Sequence, residues 1–363
     1  MVAVLFFGFL ILTHEIGHYG TAKAFKVRVN EFSLGMGPRL LKFRKGETLY
    51  SLKAIPFGGS VLMEGEDADT EDARGFLKQK AWKRFLILVA GATVNLICGV
   101  LITVILVGMA SLVGTARVHS FREDATSNQT AGGLRAGDEI RKINGQRVIS
   151  SIDVGFLLSR DHDGKVDVLV RRGGNTGEVL LKDVVFPTET LENGQVVTLQ
   201  DFSQLGIGRD QVSKPKYAGI VLSEGLRESV STVRLVWLSL LDMVTGKFRF
   251  SDMAGPVGIV QTISDQAQQA QESSGNKEAF SKALQSLLFL FALISINVGV
   301  MNLLPIPALD GGRIFFCLVE MIFRKPIPKK LEAVVHGAGM LLLLAFMVVI
   351  SFSDILNWVQ GKR

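Results

Sequence analysis

Cysteine is nearly absent. Cys98 and Cys317 are the only two in 363 residues. Each sits inside an apolar segment and neither belongs to a CxxC pair, which excludes a disulfide framework and a thiolate metal site. Charge is scarce as well: Asp, Glu, Lys and Arg make up 20% of the chain against 48% hydrophobic residues, with mean hydropathy +0.32. That balance excludes an ordinary soluble protein of this length. No nucleic-acid motif accompanies the pI of about 9.3, and the basic residues gather beside apolar runs, which excludes a nucleic-acid partner. The first apolar run lacks the basic leading region and small-residue cleavage site of a signal peptide, so it is kept as structure.

What is present is four apolar stretches, 1–22, 85–116, 283–309 and 333–353, each long enough to span or nearly span a bilayer. Lys26, Arg28, Arg39, Lys42, Arg44, Lys45, Lys53, Arg74, Lys78 and Lys80 lie between the first two. Arg313, Arg324, Lys325, Lys329 and Lys330 precede the fourth. Both loops are therefore expected to face the cytoplasm, leaving the termini and the 117–280 insert outside.

Inside the first run stands Thr13-His14-Glu15-Ile16-Gly17-His18. On a helix, His14 and His18 share one face, and at this spacing both can ligate one Zn2+ while Glu15 lies beside the metal as a general base. Five-residue matches arise by chance; the placement decides. No charge precedes Glu15 and the next lysine is Lys23. A carboxylate and two imidazoles in so apolar a helix would cost several kcal/mol unpaired, and one cation satisfies all three. At 1.5 Å per residue His14 lies about 20 Å along the helix, nearer the cytoplasmic face.

A zinc site of this kind needs a third protein ligand and one position for water. The third span ends in Asn302-Leu303-Leu304-Pro305-Ile306-Pro307-Ala308-Leu309-Asp310-Gly311-Gly312. Two prolines forbid a regular helix there, and Asp310 is expected at the depth of His14 and His18. Asn95, within the second span, reads equally as a helix–helix hydrogen-bonding residue or as a substrate contact.

Between these landmarks, 29–55 reads as a β-hairpin or small sheet with a Lys45-Gly46-Glu47 turn. Its strand edge could take an extended peptide, or it could be a plain connection. The acidic run Glu64, Glu66, Asp67, Asp69, Glu71, Asp72 does not have EF-hand spacing and reads as a solvated loop. Residues 114–213 have the composition of a β-rich domain centred on Gly133 to Val148. The Ala136-Gly137-Asp138 turn, a strand through Ile140 and Ile143 and a tight Asn144-Gly145 turn resemble a PDZ domain, which would accept peptide ends as an added strand. Leu226, Val230, Val233, Trp237, Leu240, Leu241 and Val244 recur at three and four, giving an amphipathic helix suited to the membrane surface or to packing on that domain. Met253 to Ile259 interrupts any helix, and a polar, Gln-rich stretch from 261 to 276 leads into the third span.

HExxH in the first span together with NxxPxPxLDGG ending a later one resembles the site-2 protease family, in its bacterial, PDZ-containing, RseP-like branch. Gly35-Met36-Gly37-Pro38, Pro56-Phe57-Gly58-Gly59, Gly91 to Asn95 and Gly255-Pro256-Val257-Gly258 extend the likeness over nearly the whole chain. Two departures are Ala92 in place of a proline and room for a single PDZ domain. The resemblance implies that His14, His18 and Asp310 hold Zn2+, that Glu15 activates water, and that Asn95 and Asn302 position substrate or transition state. It also implies intramembrane cleavage of single-pass proteins, such as pre-trimmed anti-sigma factors or signal-peptide remnants, in the bacterial inner membrane, with the insert as an outer filter and the active site open to the cytoplasm.

The expected fold is a mainly α membrane protein of four transmembrane helices, a cytoplasmic-side small sheet, an extracytoplasmic PDZ insert and amphipathic helices. Its expected divisions are 1–113, 114–213, 214–279 and 280–363. The competing readings are a membrane-anchored PDZ scaffold with a vestigial metal site and a zinc transporter. The transporter would want polar ligands across the bilayer, where His336 is the one further histidine, better explained by a helix–helix contact.

Overall fold

The computed structural model describes residues 2–66, 70–110, 112–129, 132–173, 177–190, 196–208, 214–245, 256–272, 276–325 and 327–359. The chain divides into two compact units, Met1–Gly99 with Leu241–Arg363, and Val100–Leu240.

The first unit is built on long apolar helices. Four segments, Ala3–Ala24, Ala81–Met109, Lys277–Leu303 and Lys330–Phe352, are long and apolar enough to cross a membrane. They belong to helices α1 (Val2–Ala24), α2 (Ala81–Met109), α6 (Lys277–Leu303) and α8 (Lys329–Val359). With the sheets described below, the molecule is a membrane protein of mixed helix and sheet. The third helix ends six residues earlier than expected because Pro305 cannot continue it. Its start is fixed by Asn276, whose side chain accepts from the backbone N–H groups of Glu278 and Ala279.

Helix crossings are close because glycine lines them. A Cβ on Gly17 of α1 would stand 2.5 Å from the Ala90 carbonyl oxygen of α2. One on Gly299 of α6 would meet Leu96 Cγ at 2.8 Å and the Ala92 oxygen at 3.0 Å. In lipid, where apolar side chains gain nothing by leaving their solvent, such backbone contact is what holds helices together.

Strands β1 (Val29–Lys45) and β2 (Thr48–Met63) form the expected small sheet, extended beyond 55. Both bend, β1 at Gly35 and Gly37 (φ 87° and 85°) and β2 at Gly58 (φ 82°). Glu31 to Leu34 consequently pairs with Leu62 to Gly59 on one side and with Leu49 to Leu52 on the other. Among the described residues the outer edge of 59–63 is unpaired. Buried Glu31 is held by Arg39 (2.5 and 3.1 Å) and accepts from Ser51 Oγ (2.6 Å).

Two expectations are corrected here. The polar stretch after Gly255 is not a linker but helix α5 (Pro256–Glu272), with proline at its first position. Ile263 is fully buried and clusters with Phe6, Leu10 and Ile294, and Ile259 one turn earlier packs against the same cluster, so two apolar positions sufficed once α1 and α6 supplied the partner surface. Met253 to Gly255 lie outside the described residues. The acidic run is not simply solvated either: Glu64 accepts from Asn30 and Thr70, Asp72 from Arg28, and Glu66 pairs with Arg313. Asp67 and Asp69 lie outside the described residues.

The second unit is a β-rich sheet of order β10-β3-β4-β6-β7 with β5 on β4. Its strands are β3 (Leu112–Phe121), β4 (Glu139–Ile143), β5 (Gln146–Arg147), β6 (Lys165–Arg172), β7 (Gly177–Val185) and β10 (Phe202–Gly208), with β8 (Thr188–Thr190) and β9 (Val196–Thr198) as a separate hairpin. Asn144 and Gly145 both take positive φ between β4 and β5, the backbone a two-residue turn demands. Ile140, Ile143, Val154, Leu158, Val166 and Val168 form the core with helix α3 (Ser151–Ser159). Buried Asp138 is satisfied by two bonds from Arg172 (2.7 and 2.8 Å).

The amphipathic helix is α4 (Lys214–Val244), twelve residues longer at its start than the apolar pattern indicated. Its polar face turns inward: Ser231 Oγ donates to buried Asp153 at 2.7 Å and Arg234 to the Arg147 carbonyl at 2.6 Å. Leu222, Leu226, Val230 and Trp237 are exposed along the other side.

Candidate metal centre

Helix α1 carries His14, Glu15 and His18, and helix α7 (Asp310–Phe323) begins at Asp310. The glycines after Asp310 allow that start: any Cβ on Gly311 would collide with the Leu304 carbonyl, and one on Gly312 would stand 2.8 Å from the Ile306 oxygen. Asp310 thereby reaches the imidazoles. Its Oδ2 lies 3.0 Å from His14 Nε2 and 3.2 Å from His18 Nε2, and the two Nε2 atoms are 3.1 Å apart.

A backbone group orients His18. His18 Nδ1 lies 2.8 Å from the Ile87 carbonyl oxygen, which can only accept, so Nδ1 bears the proton. Nε2 is left facing the Asp310 carboxylate, where either a proton on the ring or a metal ion can join the two groups. The donor set suits zinc, and Zn–N and Zn–O bonds of roughly 2.0–2.2 Å would put tetrahedral ligand atoms about 3.3–3.6 Å apart, a few tenths of an ångström beyond the three separations observed. The Ile87 carbonyl is an orienting partner of the kind metal-bound histidines use. Having no side chain to mark it, it leaves no sequence signal.

Glu15, one residue along, faces the sheet: a Cβ on Gly59 would stand 2.9 Å from its Cγ. Glu15 therefore packs on the face of the sheet at Gly59. Gly91 of α2 lies beneath both imidazoles, a role that the sequence marked only as part of a motif.

Asn95 is completely buried. Thr13 Oγ1 lies 3.0 Å from its Oδ1, and its backbone oxygen accepts from Ser295 Oγ at 2.8 Å. Among the described residues its Nδ2 is buried without a hydrogen-bond partner, which fits both readings of Asn95: it ties α1 to α2, and its amide N–H groups are left for another contact. Asn302 sits, half-buried, in the last turn of α6 and is not brought into hydrogen-bond contact with His14, His18 or Asp310.

A family model described as Peptidase family M50 matches residues 2–346. A Clostridium perfringens protein is 34% identical over 357 residues, covering 98% of this chain and 97% of its own. One of Clostridium acetobutylicum is 33% identical over 359 residues (98% and 96%), and one of Fusobacterium nucleatum 34% over 374 (98% of each). All three carry the name "Putative zinc metalloprotease". A match that spans nearly the full chain on both sides shows that this membrane protein is a protease and belongs to peptidase family M50, the site-2 protease family.

Proposed function

We propose that the chain is a zinc-dependent intramembrane endopeptidase that hydrolyses a peptide bond within the transmembrane segment of single-pass membrane proteins. The observation that carries this reading is the convergence of His14 Nε2, His18 Nε2 and Asp310 Oδ2, each within 3.2 Å of the other two. His14, His18 and Asp310 would hold Zn2+, which supplies Lewis acidity at the scissile carbonyl and a water of lowered pKa. Glu15 takes the proton from that water and delivers it to the leaving amine.

A transmembrane helix hides its backbone, so the substrate must be extended where it is cut. The open edge of residues 59–63, a strand whose face meets Glu15 at Gly59, supports strand addition as the means. The free Nδ2 of Asn95 supports a contact to substrate or to the developing oxyanion. Asn302 is assigned a positioning role on the family motif alone.

We assign the chain to a bacterial cytoplasmic membrane, with the 112–208 sheet outside as a PDZ-like module that receives peptide ends. The site opens to cytoplasmic water. With α4 on the lipid surface, that module would exclude untrimmed ectodomains, so that substrates are pre-trimmed anti-sigma factors or signal-peptide remnants. Deletion of residues 117–212 should then admit untrimmed substrates, and continued rejection would remove the filter from the proposal. The central test is Glu15→Gln in reconstituted vesicles: cleavage is lost while zinc stays bound, and retained cleavage would show the base to be elsewhere.

A further inference from the structure

The turn that delivers Asp310 is held from outside by one side chain of α8. Between α6 and α7, Pro305 and Pro307 offer no backbone N–H. Ala308 takes φ 79°, the left-handed region that a residue with a Cβ avoids. Such a conformation persists only where its surroundings over-determine it. Inside the turn, Ile306 N–H donates to the Leu304 carbonyl (2.6 Å) and Leu309 N–H to that of Ile306 (3.2 Å). The Ala308 N–H is directed out of the turn, to His336 Nδ1 at 3.0 Å.

Two further contacts fix the register of this bond. Gly339, one turn along α8, abuts Pro307, and any Cβ there would collide with the proline ring. A Cβ on Gly312 would stand 3.0 Å from His336 Cε1. Much of α8 is exposed, as at Leu341, Leu342, Val348 and Val349, whereas His336 and Gly339 face the turn. Since Nδ1 accepts, the neutral ring carries its proton on Nε2. Among the described residues that atom is buried without a hydrogen-bond partner, beside a cavity of about 230 Å³ lined also by Arg313, Phe316 and Glu332.

We propose that His336 is a positioning residue of the metal centre: by accepting the Ala308 N–H it holds the left-handed turn that sets Asp310 against His14 and His18. The inference rests on the reading of those three as metal ligands. It is tested on the full-length protein with two readouts, zinc affinity and the visible spectrum of the Co2+-substituted form, in His336→Asn, His336→Gln and His336→Phe. Asparagine offers an acceptor where Nδ1 stands, glutamine places its amide near Nε2, and phenylalanine keeps the ring without an acceptor.

His336→Asn should bind zinc within about threefold of wild type and keep its Co2+ spectrum. His336→Gln and His336→Phe should lose roughly tenfold or more in affinity, the range seen when groups that orient metal ligands are removed, and shift the spectrum. If His336→Phe does not fold, the asparagine and glutamine variants decide between themselves. Wild-type affinity and spectrum in His336→Phe or His336→Gln would overturn the proposal, as would a loss in His336→Asn equal to that in His336→Gln. Wild-type protein that binds no zinc would instead overturn the metal reading beneath it.

Discussion

Gly91 of α2 lies against the ring of His18 so closely that a single added carbon would collide with Nε2, and it would also stand 2.8 Å from His14 Cε1. The absence of a side chain on one helix is thus what lets two imidazoles on another converge.

Gly91→Ala should therefore displace both rings, while itself favouring the helix by roughly 0.5–1 kcal/mol, so that any loss is not a loss of helix. Zinc affinity is expected to fall roughly 10- to 100-fold, in line with other losses of ligand orientation. Isothermal titration of zinc into the apo-protein measures it, and an unchanged affinity would mean that the rings have room to move.

Removal of the metal should loosen α1 against α7, because the dication that His14, His18 and Asp310 would hold in common is replaced at most by protons on the rings. Zinc at about 100 times its dissociation constant stabilises the folded state by roughly 2.7 kcal/mol, and chelation forfeits that amount. Melting curves with and without chelator should separate in wild type and coincide in His14→Ala. A separation that survives in His14→Ala would place the metal elsewhere.

Asn95→Asp keeps the shape and the Thr13 contact but replaces the buried Nδ2 donor by an acceptor. If that donor meets developing charge, kcat should fall roughly 10²-fold, as for lost oxyanion donors, while zinc content is unchanged. Parallel loss of zinc would assign Asn95 to helix packing alone.

The small sheet carries its own pH dependence. Hydrogen bonds from the Arg39 guanidinium, against the opposing effect of burial, hold the Glu31 carboxyl down to about 2 from the ordinary 4.5. A depressed value contributes stability that is complete above about pH 4.5 and is lost as pH falls through about 2. Backbone hydrogen exchange across residues 29–63 should accelerate over that interval in wild type. Glu31→Gln should exchange faster at neutral pH and lose the acid dependence; an unaltered acid profile would assign it to another group.

Much of the architecture was legible because it is written locally. Sustained hydropathy marks the four long helices, Asn144-Gly145 marks a turn that needs two positive φ values, and the spacing of His14 and His18 marks one face of one helix. Proline at 305 and 307 announced the break before Asp310, although it set the end of α6 earlier than the apolar run suggested. Helix α5 was not legible: its sequence is mostly polar, and Ile263 becomes informative only when Phe6, Leu10 and Ile294 are there to cover it. The inward polar face of α4 was hidden for the same reason, since Asp153, its partner, is 78 residues away.

By itself, then, the sequence determined which segments are apolar enough to enter a bilayer and which residues could ligate a metal, because both follow from side-chain chemistry at short spacing. Tertiary structure alone decided that Asp310 meets His18 across 292 residues, that Ile87 fixes the tautomer, and that His336 reaches Ala308. Those relationships run through backbone groups and glycine-sized gaps between helices, which have no side chain to betray them and exist only once distant segments have packed.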